Sequence, residues 1–351
     1  MSLATTRYIS ANTNIRQLCF RWSSFYYSPL SVSTIWRNYW IRRNRIHTSV
    51  ALSASNTFRS NSTWNESSLP EKIQSLDEYK QLYSLSIKDP SRFWKMAAER
   101  LDWYHFPTTI KNTEFDYRTQ RGVDIKWYED GILNACYNCL DRHIDYNPSI
   151  AQQVAYIFEP DEPSHARYHV TYGELLGYVS KFANILKKHG VRKGDRVTIY
   201  MPMVVEACVA ILACARIGAV HSVVFAGFSA SHIADRIVDC DSKVVITSDF
   251  GIRGGKTLLL KNKVDEALRV KQCRQVQSVL VFGRNQGLIS LNKEDSKDSE
   301  KIFEWTEGRD FWVHHEMEKV SDRCEPERMN AEDPLFIVRR TKISYRIFPF
   351  D

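Results

Sequence analysis

The hydrophobic pattern of residues 76–103 predicts two amphipathic helices. Apolar side chains recur there at intervals close to those that place them on one face of a helix. The pattern is interrupted at Asp89-Pro90, because proline cannot continue the hydrogen bonding of a preceding helix. Residues 105–130 show no regular pattern and are expected to be irregular. The apolar positions that carry the prediction are Leu76, Tyr79, Leu82, Leu85, Phe93, Trp94, Ala97, Leu101 and Trp103.

From residue 131 onward, short apolar runs alternate with segments of helical pattern. This alternation is typical of a parallel sheet with helices on both faces. The predicted fold class is therefore α/β, an incomplete doubly wound parallel sheet preceded by a small helical region. Strands are expected at 154–159, 196–201, 222–225, 243–248 and 276–282, with a last one beginning at 334–338. Helices are expected at 136–143, 171–190, 204–217, 229–240 and 257–269.

The positive charge of the chain is concentrated at its beginning. Residues 1–65 hold eight arginines, no lysine and no acid, whereas the formal net charge of all 351 residues is +7. The rest of the chain therefore carries a formal charge of −1, which gives no support to a nucleic-acid-binding surface. An arginine- and serine-rich segment without acids is typical of an organelle transit peptide, with a disordered basic tail as the alternative. Localisation in the mitochondrial matrix is expected.

These patterns divide the chain into four parts. Residues 1–60 are the predicted mitochondrial transit peptide or disordered segment, and residues 61–135 are the helical N-terminal region. Residues 136–338 form the α/β part, and residues 339–351 form a tail. The most apolar run, 204–228, contains charged residues and a turn signal, so no membrane span is expected.

The eight cysteines do not suggest a disulfide scaffold in a chain of this length. Cys136 and Cys139 form a CxxC, but no second pair lies at metal-ligand spacing, and no metal site is expected. Asp141-Arg142-His143 resembles a catalytic set in composition only. Three consecutive helical residues point in different directions and cannot converge on one substrate atom, so structural roles are expected.

Two loops at the carboxyl ends of predicted strands are candidate binding sites, because open α/β sheets bind ligands at that edge. The first is the turn Phe225-Ala226-Gly227-Phe228, in which small residues let a ligand approach the backbone amides. A turn that needs small residues only for packing is an equally acceptable interpretation.

The second loop is Gly251-Ile-Arg253-Gly254-Gly255-Lys256-Thr257. It is not a Walker A loop, because the required glycine position is occupied by Phe250. Its glycines, its two cations and a following helix N-terminus nevertheless predict a phosphate-binding site. A solvated basic turn is the alternative.

Several ordered motifs resemble the acetyl-CoA synthetases of the adenylate-forming superfamily, over about residues 75–338. The motif Tyr137 to His143 is specific to the short-chain acyl-CoA synthetase branch. The matching segments are Tyr79-Lys-Gln-Leu-Tyr83, Asp89-Pro-Ser-Arg-Phe-Trp94, Ile125-Lys-Trp-Tyr-Glu-Asp-Gly-Ile-Leu-Asn134, Tyr137-Asn-Cys-Leu-Asp-Arg-His143, Gly194-Asp-Arg-Val197, Arg216-Ile-Gly-Ala-Val-His-Ser-Val-Val224 and the loop Gly251 to Lys256.

The resemblance implies an AMP-forming acetate–CoA ligase. Such an enzyme converts acetate and ATP into acetyl-AMP and pyrophosphate, and then forms acetyl-CoA with release of AMP. The resemblance also implies that the loop holding Arg253 and Lys256 contacts the nucleotide phosphate of coenzyme A, beside the turn at Phe225. Lys256 stands where many relatives have arginine, and Ala226 where glycine is common, so the affinity for coenzyme A is expected to differ.

After Val338 the sequence departs from the family pattern. The family continues into a Thr-Ser-Gly-Ser-Thr-Gly-Lys-like loop that holds the ATP phosphates, and residues 339–351 do not match it. The ATP and Mg²⁺ sites of the family are therefore expected to be missing, and this chain alone is expected to be inactive, as a truncated isoform or gene product. Two alternatives stay open: a non-catalytic coenzyme A-binding or regulatory module that pairs with a full-length synthetase, and a propionate–CoA ligase fragment.

Overall fold

The structure is a computed structural model that describes residues 68–116, 118, 122–160, 167–284 and 303–338. The predicted transit peptide 1–60, the tail 339–351 and nearly all of the polar segment 284–302 lie outside these residues. Among the described residues, Ser68–Tyr83 fall in one compact unit, and the residues from Ser84 onward fall in another.

The two predicted N-terminal helices are present, but the second ends at Ala98, before Leu101 and Trp103, which were predicted to belong to it. Helix α1 spans Leu76–Lys88 and helix α2 spans Pro90–Ala98. Asp89 caps α2, since its carboxylate accepts a hydrogen bond of 3.0 Å from the backbone N–H of Arg92. Pro90 occupies the first turn of the helix, where its missing N–H costs no hydrogen bond.

The prediction that residues 105–130 are irregular is wrong. Strands β1 (Lys111–Phe115) and β2 (Val123–Trp127) pair antiparallel, with Lys111 opposite Trp127 and Phe115 opposite Val123. The ribbon is short and the side chains of Phe115 and Val123 are exposed, so no buried face imposed a clear alternation on the sequence.

The predicted helix 136–143 is two shorter helices, α3 (Ala135–Cys139) and α4 (Asp141–Tyr146). Leu140 separates them with a non-helical backbone and is itself buried. Strand β3 (Ile132–Leu133) precedes α3 and pairs antiparallel with a strand near the end of the described chain.

A hairpin of β4 (Val154–Phe158) and β5 (Tyr168–Thr171) leads into α5 (Tyr172–Lys188). The predicted capping box is present at the start of α5. The hydroxyl of Thr171 accepts from the backbone N–H of Glu174 at 3.2 Å, and the Glu174 carboxylate accepts from the backbone N–H of Thr171 at 2.8 Å. Gly190 ends the helix with φ of +79°, the conformation that favours glycine.

The remaining strands, in chain order, are β6 (Arg196–Met201), β7 (Val220–Phe225), β8 (Val244–Ser248), β9 (Phe250–Arg253), β10 (Lys256–Leu259), β11 (Ser278–Phe282), β12 (Asp310–Trp312), β13 (Met329–Asn330) and β14 (Phe336–Ile337). Among the described residues, six of these strands form one parallel sheet in the order β12-β11-β8-β6-β7-β14. The α/β fold class with a parallel sheet is thus confirmed.

Helices cover both faces of this sheet. Those not yet described are α6 (Val205–Arg216), α7 (Ala230–Cys240), α8 (Leu260–Leu268) and α9 (Val313–Met317). One face packs against α7 and α8 through a buried cluster that includes Tyr200, Val245 and Ile233. On the other face, Phe182 of α5 contacts Phe282 of β11, with ring centroids 5.1 Å apart.

Several short elements were not predicted. Among them, strand β12 and helix α9 are only three and five residues long, too short to show a clear hydrophobic period. Helix α8 begins at Leu260 rather than at 257, because the residues before it form the hairpin of β9 and β10.

Candidate functional site

The order of the strands identifies one edge of the sheet as the binding edge. The chain leaves β6 towards β7 on one side, whereas it leaves β8 towards β11 on the other. The switch point therefore lies between the carboxyl ends of β6 and β8, where open α/β sheets hold ligands. The hairpin of β9 and β10 begins two residues after β8 and packs beside the residue that follows β6. A Cβ added at Gly251 would lie 3.1 Å from the Cβ of Pro202, which follows β6.

The loop around Gly254 is the two-residue turn of this hairpin. Arg253 and Lys256 are paired across the hairpin and flank Gly254 and Gly255, whose φ angles are +56° and +72°. A turn with positive φ at both central positions matches the twist of the two strands and strongly favours glycine. The two cations, predicted as site residues, are therefore held next to each other on an exposed hairpin tip.

The expected contribution of a helix N-terminus to this site is wrong. Helix α8 begins only at Leu260, four residues beyond Lys256. The backbone N–H groups of Leu260 and Lys261 both donate to the carbonyl oxygen of Asp249, at 3.1 and 3.3 Å. These amides are already satisfied, so the hairpin tip offers side-chain cations rather than the end of a helix.

The turn from Phe225 to Phe228 lies beside the hairpin. Its backbone closes through a hydrogen bond of 3.0 Å from the N–H of Phe228 to the carbonyl of Phe225. The hydroxyl of Tyr200, at the end of β6, lies 2.9 Å from the carbonyl oxygen of Ala226 and 3.1 Å from that of Phe228. Burial raises the pKa of Tyr200 to about 12, so the hydroxyl stays protonated and donates a hydrogen bond to this turn.

The turn and the hairpin meet at Arg253. The guanidinium of Arg253 lies over the ring of Phe225, 5.0 Å from its centroid. A Cβ added at Gly227 would lie 2.6 Å from Nη1 of Arg253 and 2.6 Å from Cε1 of Phe225. The structure thus brings together Phe225, Gly227 and Arg253, and only a glycine leaves room for both neighbouring side chains.

Ala226 and Phe228 have a packing role within the same turn. Both are partly buried against the hydrophobic cluster formed by α7, α8 and the sheet. The packing interpretation therefore holds for these two residues, while the exposed side of the turn is formed by Phe225, which is 47% exposed.

Asp249 anchors the base of the hairpin and was not singled out from the sequence. It follows β8, and its carboxylate accepts from the backbone N–H of Phe250 at 2.7 Å and from that of Arg284 at 3.0 Å. Burial raises the pKa of Asp249 to about 6, against these hydrogen bonds and the charge of Arg284, which lower it. Asp249 and Tyr200 were both missed because Arg284 and the turn carbonyls, which they contact, lie far from them in the sequence.

Asp141, Arg142 and His143 each contact a different part of the molecule. Both carboxylate oxygens of Asp141 lie 2.8 Å from the guanidinium of Arg216, and the Arg142 guanidinium donates to the carbonyl of Arg100 at 2.6 Å. The ring of His143 packs edge-on against Tyr172. These are structural contacts that do not converge on one point.

Within the described ranges, no group of three or more histidine, cysteine, aspartate or glutamate side chains is placed to hold a metal ion. The thiol of Cys136 is fully buried, and burial raises its pKa to about 12. None of the helices in the described part of the chain has the length and apolar character needed to cross a membrane.

Comparison with known families gives two matches in sequence order. The family described as "Acetyl-coenzyme A synthetase N-terminus" matches residues 79–139, and the family described as "AMP-binding enzyme" matches residues 150–338. The second match alone covers more than half of the chain and includes the turn and the hairpin.

Individual relatives agree with these matches. An acetyl-coenzyme A synthetase of Parvibaculum lavamentivorans is 51% identical over 266 residues, which are 76% of this chain and 38% of the relative. One of Bartonella quintana is 48% identical over 264 residues, or 75% of this chain and 37% of the relative. The chain therefore spans less than two fifths of the length of these curated relatives.

Among solved structures, the acetoacetyl-CoA synthetase of Streptomyces lividans matches with a TM-score of 0.59. The match covers 74% of this chain and 35% of that structure, at 23% sequence identity. At this identity the likeness concerns the fold alone.

Proposed function

The chain belongs to the AMP-binding enzyme family, in the acetyl-CoA synthetase group, and from this premise we propose that it supplies the coenzyme A-facing part of an acetate–CoA ligase. The overall reaction would convert acetate, ATP and coenzyme A into acetyl-CoA, AMP and pyrophosphate. Relatives named acetyl-coenzyme A synthetase at about half identity support this assignment.

The observation that carries the proposal is the pair of cations at the hairpin tip. Arg253 and Lys256 lie at paired positions on either side of the Gly254-Gly255 turn and both are exposed. Within the described part of the chain, no carboxylate forms an ion pair with either side chain. Their charge is therefore available to a phosphate group, which binds preferentially to converging cationic donors.

The chemistry of the two cations differs. Arg253 presents a planar guanidinium that can donate two parallel hydrogen bonds to one phosphate, whereas Lys256 is a point charge on a flexible stem. We assign Arg253 the directional contact with the nucleotide phosphate of coenzyme A, and Lys256 a screening role beside it. Coenzyme A, when bound, supplies the thiol that attacks an acyl adenylate, and the residues of this site hold the far end of the molecule.

A binding comparison tests this assignment. Calorimetric titration of the purified chain with coenzyme A and with 3′-dephospho-coenzyme A isolates the contribution of the nucleotide 3′-phosphate. We expect coenzyme A to bind about tenfold more tightly, as a charge-assisted contact at an exposed site implies. Equal affinities would contradict the assignment.

The absence of adenylation by this chain alone stays a prediction. We assign no ATP or Mg²⁺ site to its residues, and the tail 339–351, on which the prediction rests, lies outside the described residues. Acetate-dependent exchange of labelled pyrophosphate into ATP is the assay. We expect no exchange above the level without acetate, and measurable exchange would contradict the prediction.

Two further points of the proposal have separate tests. For the second candidate, a non-catalytic module, co-purification with a full-length synthetase tests the proposed pairing. For localisation, residues 1–60 fused to a fluorescent protein are expected to direct it to the mitochondrial matrix. A cytosolic distribution would contradict a transit peptide.

A further inference from the structure

A ladder of two aromatic rings with a cation at each end connects the hairpin tip to helix α7. Its outer end is the exposed guanidinium of Arg253, which lies 5.0 Å from the ring centroid of Phe225. The Phe225 ring meets the ring of Phe228 edge to face, with centroids 5.8 Å apart and planes at 76°. The guanidinium of Arg236, in α7, lies 4.6 Å from the centroid of Phe228. The ladder is thus Arg253, Phe225, Phe228 and Arg236.

The inner end of the ladder is fixed by the core. Arg236 is only 7% exposed, and its Nη1 donates to the carbonyl oxygen of His232 at 2.9 Å. Phe228 packs against the hydrophobic cluster beneath the turn, and its carbonyl oxygen lies 3.1 Å from the hydroxyl of Tyr200. These contacts restrict the orientation of the Phe228 ring. The Phe228 ring, through its edge contact, in turn restricts the orientation of the Phe225 ring.

At the outer end, the orientation of the Arg253 guanidinium depends on the Phe225 ring beneath it. Arg253 is at the tip of a two-stranded hairpin, where a long side chain in water has many rotamers of similar energy. The face of an aromatic ring attracts a guanidinium and lowers the number of orientations it samples. The absent Cβ of Gly227 leaves the space in which the guanidinium and the ring meet, since a Cβ there would lie 2.6 Å from both.

We infer that Phe225 is a positioning residue that acts through Arg253. It holds the guanidinium in place before a phosphate arrives, so that less side-chain entropy is lost on binding. Phe228 and Arg236 support Phe225 from the core. This inference rests on the proposed function for its effect on coenzyme A, but the contact between Phe225 and Arg253 is testable without any nucleotide.

The first arm of the test measures the contact itself. Phenylglyoxal modifies exposed guanidinium groups, and peptide mass spectrometry gives the rate at each arginine, with the exposed Arg274 as an internal reference. An exposed cation–aromatic contact implies that the rate at Arg253 rises about two- to fivefold in Phe225→Leu. Phe225→Tyr, which keeps a ring, should leave the rate unchanged.

Gly227→Ala is the second variant for this arm. The φ angle of Gly227 is not positive, so alanine adds a Cβ without backbone strain. The added atom displaces Arg253 or Phe225, and we expect the rate at Arg253 to rise as in Phe225→Leu. Circular dichroism confirms the fold of each variant. Unchanged rates at Arg253 in both Phe225→Leu and Gly227→Ala would overturn the inference, whether or not coenzyme A binds.

The second arm asks whether Phe225 acts through Arg253 or on the ligand directly. The quantity is the ratio of the affinities for coenzyme A and 3′-dephospho-coenzyme A. We expect Phe225→Leu to lower this ratio about two- to fivefold in the wild-type background and not at all in the background of Arg253→Gln. An equal loss in both backgrounds would overturn the positioning role, because the ring would then act without Arg253.

The two arms separate the inference from the proposed function. If the wild-type chain does not distinguish the two nucleotides but the reactivity of Arg253 rises in Phe225→Leu, the proposed function fails and the positioning contact stands. If the wild type distinguishes them and the reactivity of Arg253 is unchanged in the variants, the proposed function stands and the positioning role is overturned.

Discussion

The ion pair between Asp141 and Arg216 joins helix α4 to the end of helix α6, and its removal tests how these parts are held together. Arg216 is 4% exposed, and both oxygens of the Asp141 carboxylate lie 2.8 Å from its guanidinium nitrogens. The Nε of Arg216 donates to the carbonyl oxygen of Cys324. Burial opposes the charge of Arg216, but the hydrogen bonds to Asp141 outweigh it and raise the pKa of Arg216.

Asp141→Asn keeps the size of the side chain and removes its charge. One of the two charge-assisted hydrogen bonds is lost, and a buried cation is left without a compensating anion. Breaking a buried pair on one side costs about 3–5 kcal/mol of unfolding free energy. For a domain of this size, that corresponds to a decrease in melting temperature of about 6–20 °C.

Urea denaturation followed by tryptophan fluorescence measures the free energy. The matched control is Glu266→Gln, the same change of carboxylate to amide in the exposed pair between Lys263 and Glu266. We expect that control to change stability by less than about 0.5 kcal/mol. The double variant Asp141→Leu/Arg216→Met should regain most of the loss, because an apolar pair of similar volume leaves no buried charge. A loss below about 1 kcal/mol in Asp141→Asn would refute this reasoning.

Three further predictions concern the site. Tyr200→Phe removes the hydroxyl that donates to the turn at Ala226 and should lower the free energy of unfolding by about 1–2 kcal/mol in urea denaturation; an unchanged midpoint would contradict this. Asp249 has a folded-state pKa of about 6 against an ordinary 3.8, so its stabilising effect is complete below pH 4 and is lost as the pH rises through 6, by up to about 3 kcal/mol. The stability of Asp249→Asn should lack that pH dependence, so its difference from wild type should change as the pH rises from about 4 to 6, whereas parallel pH profiles would contradict this. Lys256→Arg adds a second guanidinium and should tighten coenzyme A binding about threefold by calorimetry, with no change for 3′-dephospho-coenzyme A.

Local signals in the sequence were sufficient for much of the fold. Thr171 and Glu174 stand three residues apart before an apolar run, and this local spacing specifies a capping box without any contact to the rest of the chain. The strand at 196–201 was predicted with its observed bounds because it is rich in β-branched and aromatic residues and is stopped by Pro202. Parallel strands buried on both faces are recognisable in this way.

The features that escaped prediction depend on partners distant in sequence. The glycines at 254 and 255 are compatible with a flexible loop or with a hairpin turn, and only the pairing of β9 with β10 decides between them. Strand β12 exists because Asp310 and its neighbours pair with β11, which lies more than 25 residues earlier in the sequence. The hydrogen bonds of Tyr200 join strand β6 to a turn 26 and 28 residues further along, which no local pattern reveals.

The contact of Arg253 with the Phe225 ring shows how far the site was predictable. Both residues were predicted as site residues, and the resemblance to acetyl-CoA synthetases implied that their loops are neighbours. The reason for a glycine at 227 is visible only in three dimensions, because a Cβ there would lie 2.6 Å from both the guanidinium and the ring.

Recognition of the nucleotide phosphate of coenzyme A by the hairpin tip can be tested with a single set of titrations. Calorimetric titration of wild type and of Arg253→Gln with coenzyme A and 3′-dephospho-coenzyme A tests it most directly, with Arg274→Gln as a control for the loss of one exposed positive charge. We expect a preference for coenzyme A of about tenfold in wild type and in the control, and its near-complete loss in Arg253→Gln. A preference that survives in Arg253→Gln, or that is absent in wild type, would contradict it.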